Sequence, residues 1–212
     1  MRLLMLNPNS SAAMTEFIAE QARRHASPGT EIAALTTEKG PPVVTGEGEY
    51  ALASSLMPGM VRRHGGTVDV VALSCFGDPG LRASREVSPC PVIGLAEASF
   101  RAARAKGWRC GIVTGGQAWV GLLENFSRDM GFADSLARVR ALPATGAELF
   151  ADPERALALV QDVARLCRDE DGADCLILGG SVLAGMGAAV EKSLGLPVID
   201  PIEAAVRLAE SI

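Results

Sequence analysis

The chain has 212 residues, 48% of them hydrophobic, and its 20 basic and 25 acidic side chains give a formal net charge of -5. That apolar content supports one large domain or two small ones, each able to bury a core. The mixed, mildly acidic surface gives no electrostatic footing for nucleic acid or an anionic membrane, which leaves a small molecule as the expected partner.

The first strand is predicted over Arg2–Leu6, close behind Met1 and with no leader pattern, so the expected location is the cytoplasm. Asn7-Pro8-Asn9-Ser10 follows, then a helix over Ala12–His25 and a strand over Glu31–Leu35. Glu38–Glu49 is broken by Gly and Pro and reads as a loop long enough to cover a site. A helix over Tyr50–His64 leads to a strand over Val68–Leu73, the segment Cys75–Gly80, a strand over Val92–Gly94 and a helix over Ala96–Lys106. In the second half, strands are predicted over Cys110–Val113, Arg138–Ala141, Cys175–Leu178 and Val198–Ile199. Helices are predicted over Ala118–Met130, Pro153–Asp169, Leu183–Ser193 and Ile202–Glu210. Short apolar strands alternating with helices specify an α/β fold whose parallel sheets are covered on both faces. None of the apolar runs is long enough to cross a bilayer.

The two halves repeat one another. Asp69-Val-Val-Ala-Leu-Ser-Cys75-Phe-Gly-Asp-Pro-Gly80 returns as Asp174-Cys-Leu-Ile-Leu-Gly-Gly180-Ser-Val-Leu-Ala-Gly185, a constant offset of 105 positions. Pro91-Val-Ile-Gly94 returns as Pro197-Val-Ile-Asp200, offset by 106. The repeat predicts two similar pseudo-symmetric lobes, residues 1–95 and 96–200, with the terminal helix of 201–212 packing back on the first, and one active site in the cleft between them. The chemically loud difference is that Cys75 in the first copy answers to Gly180 in the second.

In open parallel sheets ligands bind beyond the carboxyl ends of the strands, where four loops qualify here: 7–11, 75–80, 114–117 and 179–184. All are rich in Gly, Ser, Thr or Asn and precede a predicted helix, so free N–H groups and hydroxyls are expected to hold a carboxylate or imide oxygen. Five cysteines, at 75, 90, 110, 167 and 175, contain no C-x-x-C pair, which argues against disulfides and zinc. His25 and His64 each follow an Arg-Arg pair at a predicted helix end, which leaves little room for a metal or a Ser-His-Asp scheme. Cys75 stands apart because it lies just past its strand, where helix-type N–H groups are expected to lower its pKa and favour the thiolate. Asn9 is read either as a ligand contact or as the cap of the next helix. Asp78 and Pro79 are read as shaping their loop and capping the helix after it, and Asp200 as a further cap. No G-x-G-x-x-G follows the first strand, so a dinucleotide site is not indicated.

Asn7-Pro8-Asn9-Ser10, Cys75-Phe-Gly-Asp-Pro-Gly-Leu81, Leu178-Gly-Gly180 and Pro197-Val-Ile-Asp-Pro201 together resemble the aspartate/glutamate/hydantoin racemase superfamily, nearest its hydantoin and allantoin racemase branch. The resemblance covers essentially the whole chain. It implies two pseudo-symmetric lobes, no cofactor, a homo-oligomer in many members, and two cysteines that exchange protons on opposite faces of a stereocentre. Carried over by motif, Cys75 matches the first of these and Gly180 falls on the second. Ser181 is the neighbouring candidate, though an alkoxyl proton is a weaker acid than a thiol.

Three readings follow. The first is a racemase-family enzyme working at the carbon next to a carboxylate or cyclic imide. Cys75 and Ser181 are then the catalytic pair, with Asn9, Ser10, Phe76, Gly77, Thr114, Gly115, Gly116 and Gly180 holding the substrate. The second is a one-sided, single-cysteine decarboxylase or cis-trans isomerase of a small dicarboxylate. The third is a protein that binds a small anion without turning it over.

Overall fold

The computed structural model describes residues 1–212 and divides them into two compact units, Met1–Ala98 with Ile202–Ile212, and Ser99–Pro201. The first unit carries β1 (Arg2–Asn7), α1 (Ala12–His25), β2 (Glu31–Thr36), α2 (Glu47–His64), β3 (Val70–Leu73), α3 (Leu81–Val87) and β4 (Val92–Gly94). The division falls inside α4 (Leu95–Ala105). The second unit carries β5 (Cys110–Gly115), α5 (Ala118–Asp129), β6 (Leu136–Leu142), α6 (Gly146–Ala151), α7 (Pro153–Asp169), β7 (Cys175–Gly179), α8 (Gly187–Leu194) and β8 (Val198–Ile199). From Ile202 onward, α9 (Pro201–Glu210) belongs to the first unit.

Each unit is a four-stranded parallel sheet, ordered β2-β1-β3-β4 in the first and β6-β5-β7-β8 in the second. The same order read twice is the three-dimensional form of the sequence repeat. The middle strands are buried on both faces: Leu3–Leu6, Val70–Leu73 and Cys175–Leu178 are closed to solvent, which is why they read as continuous apolar runs rather than alternating ones. In the first unit Ile18, Ala19 and Ala22 of α1 and Ala53, Met57 and Val61 of α2 are buried. In the second unit Ala156, Val160, Ala164 and Cys167 of α7 share a core with Leu176, Leu178 and Val190. Glu210 fastens α9, its carboxylate accepting from the Ser27 N–H at 2.7 Å and from the hydroxyls of Ser27 and Thr30, each at 2.8 Å.

Register fixes which loops meet. Leu6 pairs with Leu73, so the segments after β1 and β3 emerge together at the carboxyl edge of the first sheet. Thr114 pairs with Gly179, which does the same for the segments after β5 and β7.

Several expectations need correction. The helix expected after the Cys75 loop is α3, to which the sequence assigns no bounds, and α6 is not among the predicted helices; with 7 and 6 residues they have too few turns for a hydrophobic period to register. The helix expected over Leu183–Ser193 is instead a 3-10 turn at Ser181–Leu183 followed by α8, because Gly185 at φ 83 breaks the run. Helix α2 begins at Glu47, capped by Gly46, so the segment read as loop to Glu49 is shorter.

Candidate active site

The Cys75 loop is dictated by its sequence. Gly77 and Gly80 sit at φ 96 and 74, and Asp78 between them is the one non-glycine residue of the chain with positive φ, at 53. Left-handed backbone is open to glycine at no steric cost and to Asp at a modest one, so Cys-Phe-Gly-Asp-Pro-Gly admits few substitutes. A Cβ at Gly80 would lie 2.5 Å from the Ser54 carbonyl oxygen. Ser54 lies four residues before Pro58 of α2, and proline has no N–H to take that carbonyl, so the loop packs against a backbone oxygen freed by the proline. Gly80→Ala is therefore expected to destabilise the protein by more than about 1 kcal/mol. Thermal unfolding would read this as a loss of about 2–4 °C per kcal/mol.

The loop is strapped from two sides. The Tyr50 hydroxyl of α2 donates to the Gly77 carbonyl at 2.7 Å. The Asp78 carboxylate, 2% exposed, accepts from the Ala96 N–H at 2.9 Å and the Glu97 N–H at 2.8 Å. Asp78 thus caps α4, eighteen residues away in sequence, and not α3, the helix that follows its own loop. Burial pushes its carboxyl up from 3.8 to about 7, with the two N–H bonds and Arg85 pulling the other way. A carboxyl raised by folding contributes most stability below its unfolded pKa and loses that contribution as pH climbs through the folded value, so for Asp78 the decline spans roughly pH 4 to 7.

Cys75 is half-buried, with its sulfur 3.8 Å from the Phe76 carbonyl oxygen. Desolvation pushes the thiol up to about 12 and the Asp78 carboxylate adds to the shift. The expected lowering is overturned. Helix α3 begins only at Leu81, and burial and the Asp78 charge both disfavour the thiolate. The resting group is a protonated thiol. Phe76 is buried, and neither its N–H nor that of Gly77 meets an acceptor in the protein, so the two residues that follow Cys75 each keep a donor.

The neighbouring loop after β1 is bonded internally. Asn7, 1% exposed, donates from Nδ2 to Asn9 Oδ1 at 2.8 Å and to Thr15 Oγ1 at 3.0 Å. Asn9 Oδ1 also accepts from the Ser11 N–H at 3.0 Å, and the Asn9 N–H donates to Asn7 Oδ1 at 3.2 Å. The Ser10 N–H donates to the Pro41 carbonyl at 2.9 Å. The cap of α1 is Ser11, whose Oγ accepts from the Met14 N–H, and not Asn9. The free backbone donors expected on this loop are therefore already taken, and what Asn9 can offer a ligand is its side-chain Nδ2.

In the second unit the loops share the sheet edge but differ chemically. The Thr114 hydroxyl is buried and donates to the Gly179 carbonyl at 2.6 Å, which commits its proton within the sheet. Gly115 ends β5 under Leu149, while Gly116 turns at φ 86 with an N–H that meets no acceptor in the protein. The Gly180 N–H, expected to face a ligand, donates instead to the Leu178 carbonyl at 2.8 Å. Ser181 opens the 3-10 turn and is half-buried. Asp200 reaches back from the end of β8 to accept from the Gly185 N–H at 2.7 Å.

Cys90 lies at a chain turn against Ser88, while Cys110, Cys167 and Cys175 are buried in the second unit. All five cysteines are free.

Two parallel sheets of identical strand order define a duplicated α/β protein, with Cys75 on the loop after the third strand of the first sheet. The Asp/Glu/hydantoin racemase family model matches residues 3–209, and the chain belongs to that family. A hydantoin racemase of Paenarthrobacter aurescens is 36% identical over 215 residues, covering 100% of this chain and 91% of the relative. The crystal structure of allantoin racemase from Pseudomonas fluorescens superposes with a TM-score of 0.95 at 36% identity, covering 100% of this chain and 90% of that one. A crystal structure of arylmalonate decarboxylase shares the fold at 21% identity, with a TM-score of 0.66 and 100% and 92% of the two chains covered.

Proposed function

We propose that the protein is a cofactor-independent enzyme that removes or returns a proton at a carbon next to a carboxylate or cyclic imide, with Cys75 as its acid–base group. The observation that carries the reading is the Cys75 loop, where a single thiol sits beside the undonated N–H groups of Phe76 and Gly77. The full-length likeness to proteins named hydantoin racemase and allantoin racemase supports hydantoin rings as the first substrates to test.

In this reading the Cys75 thiolate takes the α-proton and becomes a thiol, and the C–H electron pair moves onto the neighbouring carbonyl. The enolate oxygen so formed is stabilised by the N–H groups of Phe76 and Gly77, which need no reorganisation, with Asn9 Nδ2 of the same unit as a further donor. Proton return to the same face gives exchange, and return to the opposite face gives inversion. Inversion needs a second acid, for which Ser181 or a water molecule is the proposed source.

A second reading is favoured by a specific residue. Gly180 stands where the family motif carries its second cysteine and offers no side chain, which suits a reaction that needs one proton on one face, such as decarboxylation or cis-trans isomerisation. For decarboxylation the resting Cys75 thiol is already the donor of the proton that takes the place of carbon dioxide.

The readings separate by pH and by product. While the thiol holds its proton, abstraction by its thiolate rises with pH, by up to about tenfold per unit, whereas delivery from the thiol is flat across the neutral range. Hydantoins, allantoin, aspartate, glutamate and substituted malonates, incubated in heavy water from pH 6 to 9 and followed by proton NMR and chiral separation, distinguish them. Exchange that climbs with pH and ends in a racemate supports the first. Loss of carbon dioxide to a single enantiomer at a pH-independent rate supports the second. Ligand-induced thermal stabilisation with no turnover of any compound would overturn both in favour of an anion-binding protein.

A further inference from the structure

We propose that Asp78 is a positioning residue for the Cys75 chemistry: clamped to the first turn of α4, it fixes the loop that carries the thiol and, while charged, opposes formation of the thiolate. The inference rests on the proton-transfer reading above and goes beyond it by naming a residue that touches no substrate.

Geometry carries it. The Asp78 N–H donates to the Cys75 carbonyl at 3.0 Å, so the backbone of one residue holds the other. Its side chain is tied by two N–H bonds to a different element, α4, and the fit allows nothing larger behind it, since a Cβ at Gly94 would lie 2.0 Å from Asp78 Cγ. The backbone accepts left-handed φ at a non-glycine residue to place this carboxylate there.

The second copy supplies the comparison. By the repeat offset, Gly94 answers to Asp200 and Gly80 to Gly185. Each copy ties its strand-end loop to the end of the neighbouring strand through one carboxylate, but from opposite sides. In the second the carboxylate is on the strand end and reaches the Gly185 N–H, and in the first it is on the loop itself and reaches past Gly94. Fastening the loop therefore does not require a carboxylate within it. Only the copy whose strand-end loop holds a thiol places the charge three residues from that thiol.

The charged and titratable groups around Asp78 are Cys75 on its own loop, Glu97 of α4, which adds a like charge, and Arg85 of α3, which opposes it while bonded to Glu97 and, at 2.9 Å, to the Val92 carbonyl. Tyr50 contributes a hydroxyl bond to the Gly77 carbonyl. Ionisation of Asp78 near neutral pH thus falls in the interval over which the thiol is called on to react.

The test needs no substrate, so its failure is distinct from failure of the functional reading. Alkylation of Cys75 by iodoacetamide is followed site by site by mass spectrometry from pH 6 to 10, with Cys90 as internal reference and thermal unfolding recorded in parallel. In Asp78→Asn the whole Cys75 profile is expected to move to lower pH, with alkylation at pH 8 faster several-fold, while Cys90 is unchanged. In the unmodified protein the Cys75 rate is expected to rise less than the ordinary tenfold per unit between pH 6 and 8, where Asp78 is ionising, and to recover the full slope above. A lower melting temperature with an unmoved Cys75 profile would reduce Asp78 to a helix cap. Should D78N not fold, a full tenfold slope throughout in the unmodified protein would overturn the proposal by itself.

Discussion

Gly180→Cys is expected to raise the racemisation of an exchangeable carbon acid by about 10²- to 10⁴-fold, the range over which a positioned acid–base group acts. The backbone at Gly180 has φ 174 and ψ 136, extended geometry that any residue adopts. A Cβ there meets only Val182 Cγ1 at 3.6 Å, ordinary van der Waals contact. The substitution is therefore expected to leave folding intact. Its neighbour is a control of opposite sign: a Cβ at Gly179 would lie 2.6 Å from Ile112 Cγ2, so Gly179→Cys is expected to disrupt the packing of β7 on β5. Within the proposed mechanism the second copy then gains at the repeat-related position the thiol that the first copy already has. Chiral chromatography of product from the folded G180C variant checks this. An enantiomeric ratio unchanged from that of the unmodified protein would mean that Gly180 is not where the second proton would enter.

Much of this architecture was legible in the residues because parallel strands buried on both faces must be apolar without interruption. Leu3–Leu6 and Cys175–Leu178 announce themselves, and even the two-residue β8 is located by the return of Pro-Val-Ile. What stayed hidden was short or depended on distant partners. Helix α6 has too few turns for periodicity, although Thr145 and Glu148 form a capping box whose spacing could have revealed it. The acidity of Cys75 was misjudged for a different reason. Its glycines and following helix were visible, but the burial that chiefly raises the thiol comes from tertiary packing, and the Asp78 carboxylate that adds to it is held by Ala96 and Glu97, which no local pattern links to Asp78. The four proposed site loops fall at strand ends, although Asn7, Thr114, Gly115 and Gly179 still belong to their strands, and several donors expected to be free are taken. Asn9 and Ser10 spend theirs on Asn7 and Pro41, and Gly180 spends its own on Leu178, bonds that only register and turn geometry reveal.

Cys75→Ala is the second large effect, an expected loss of about 10²- to 10⁴-fold in α-carbon proton exchange, since it removes the only thiol on the proposed site loops. The stability cost is expected to be small by comparison. Cys75 is half-buried, its one polar contact is a long 3.8 Å approach to the Phe76 carbonyl, and the straps from Tyr50 and Asp78 attach to Gly77 and α4 rather than to the sulfur. The loop should therefore survive with its N–H donors in place, still able to bind the ligand while unable to move its proton. Binding without exchange is the signature that separates a lost acid–base group from a lost fold. The most direct measurement is the rate of deuterium incorporation at the substrate α-carbon in heavy water, unmodified protein beside Cys75→Ala at equal ligand saturation. The account predicts rapid incorporation in the first and background incorporation in the second, and equal rates in the two would contradict it.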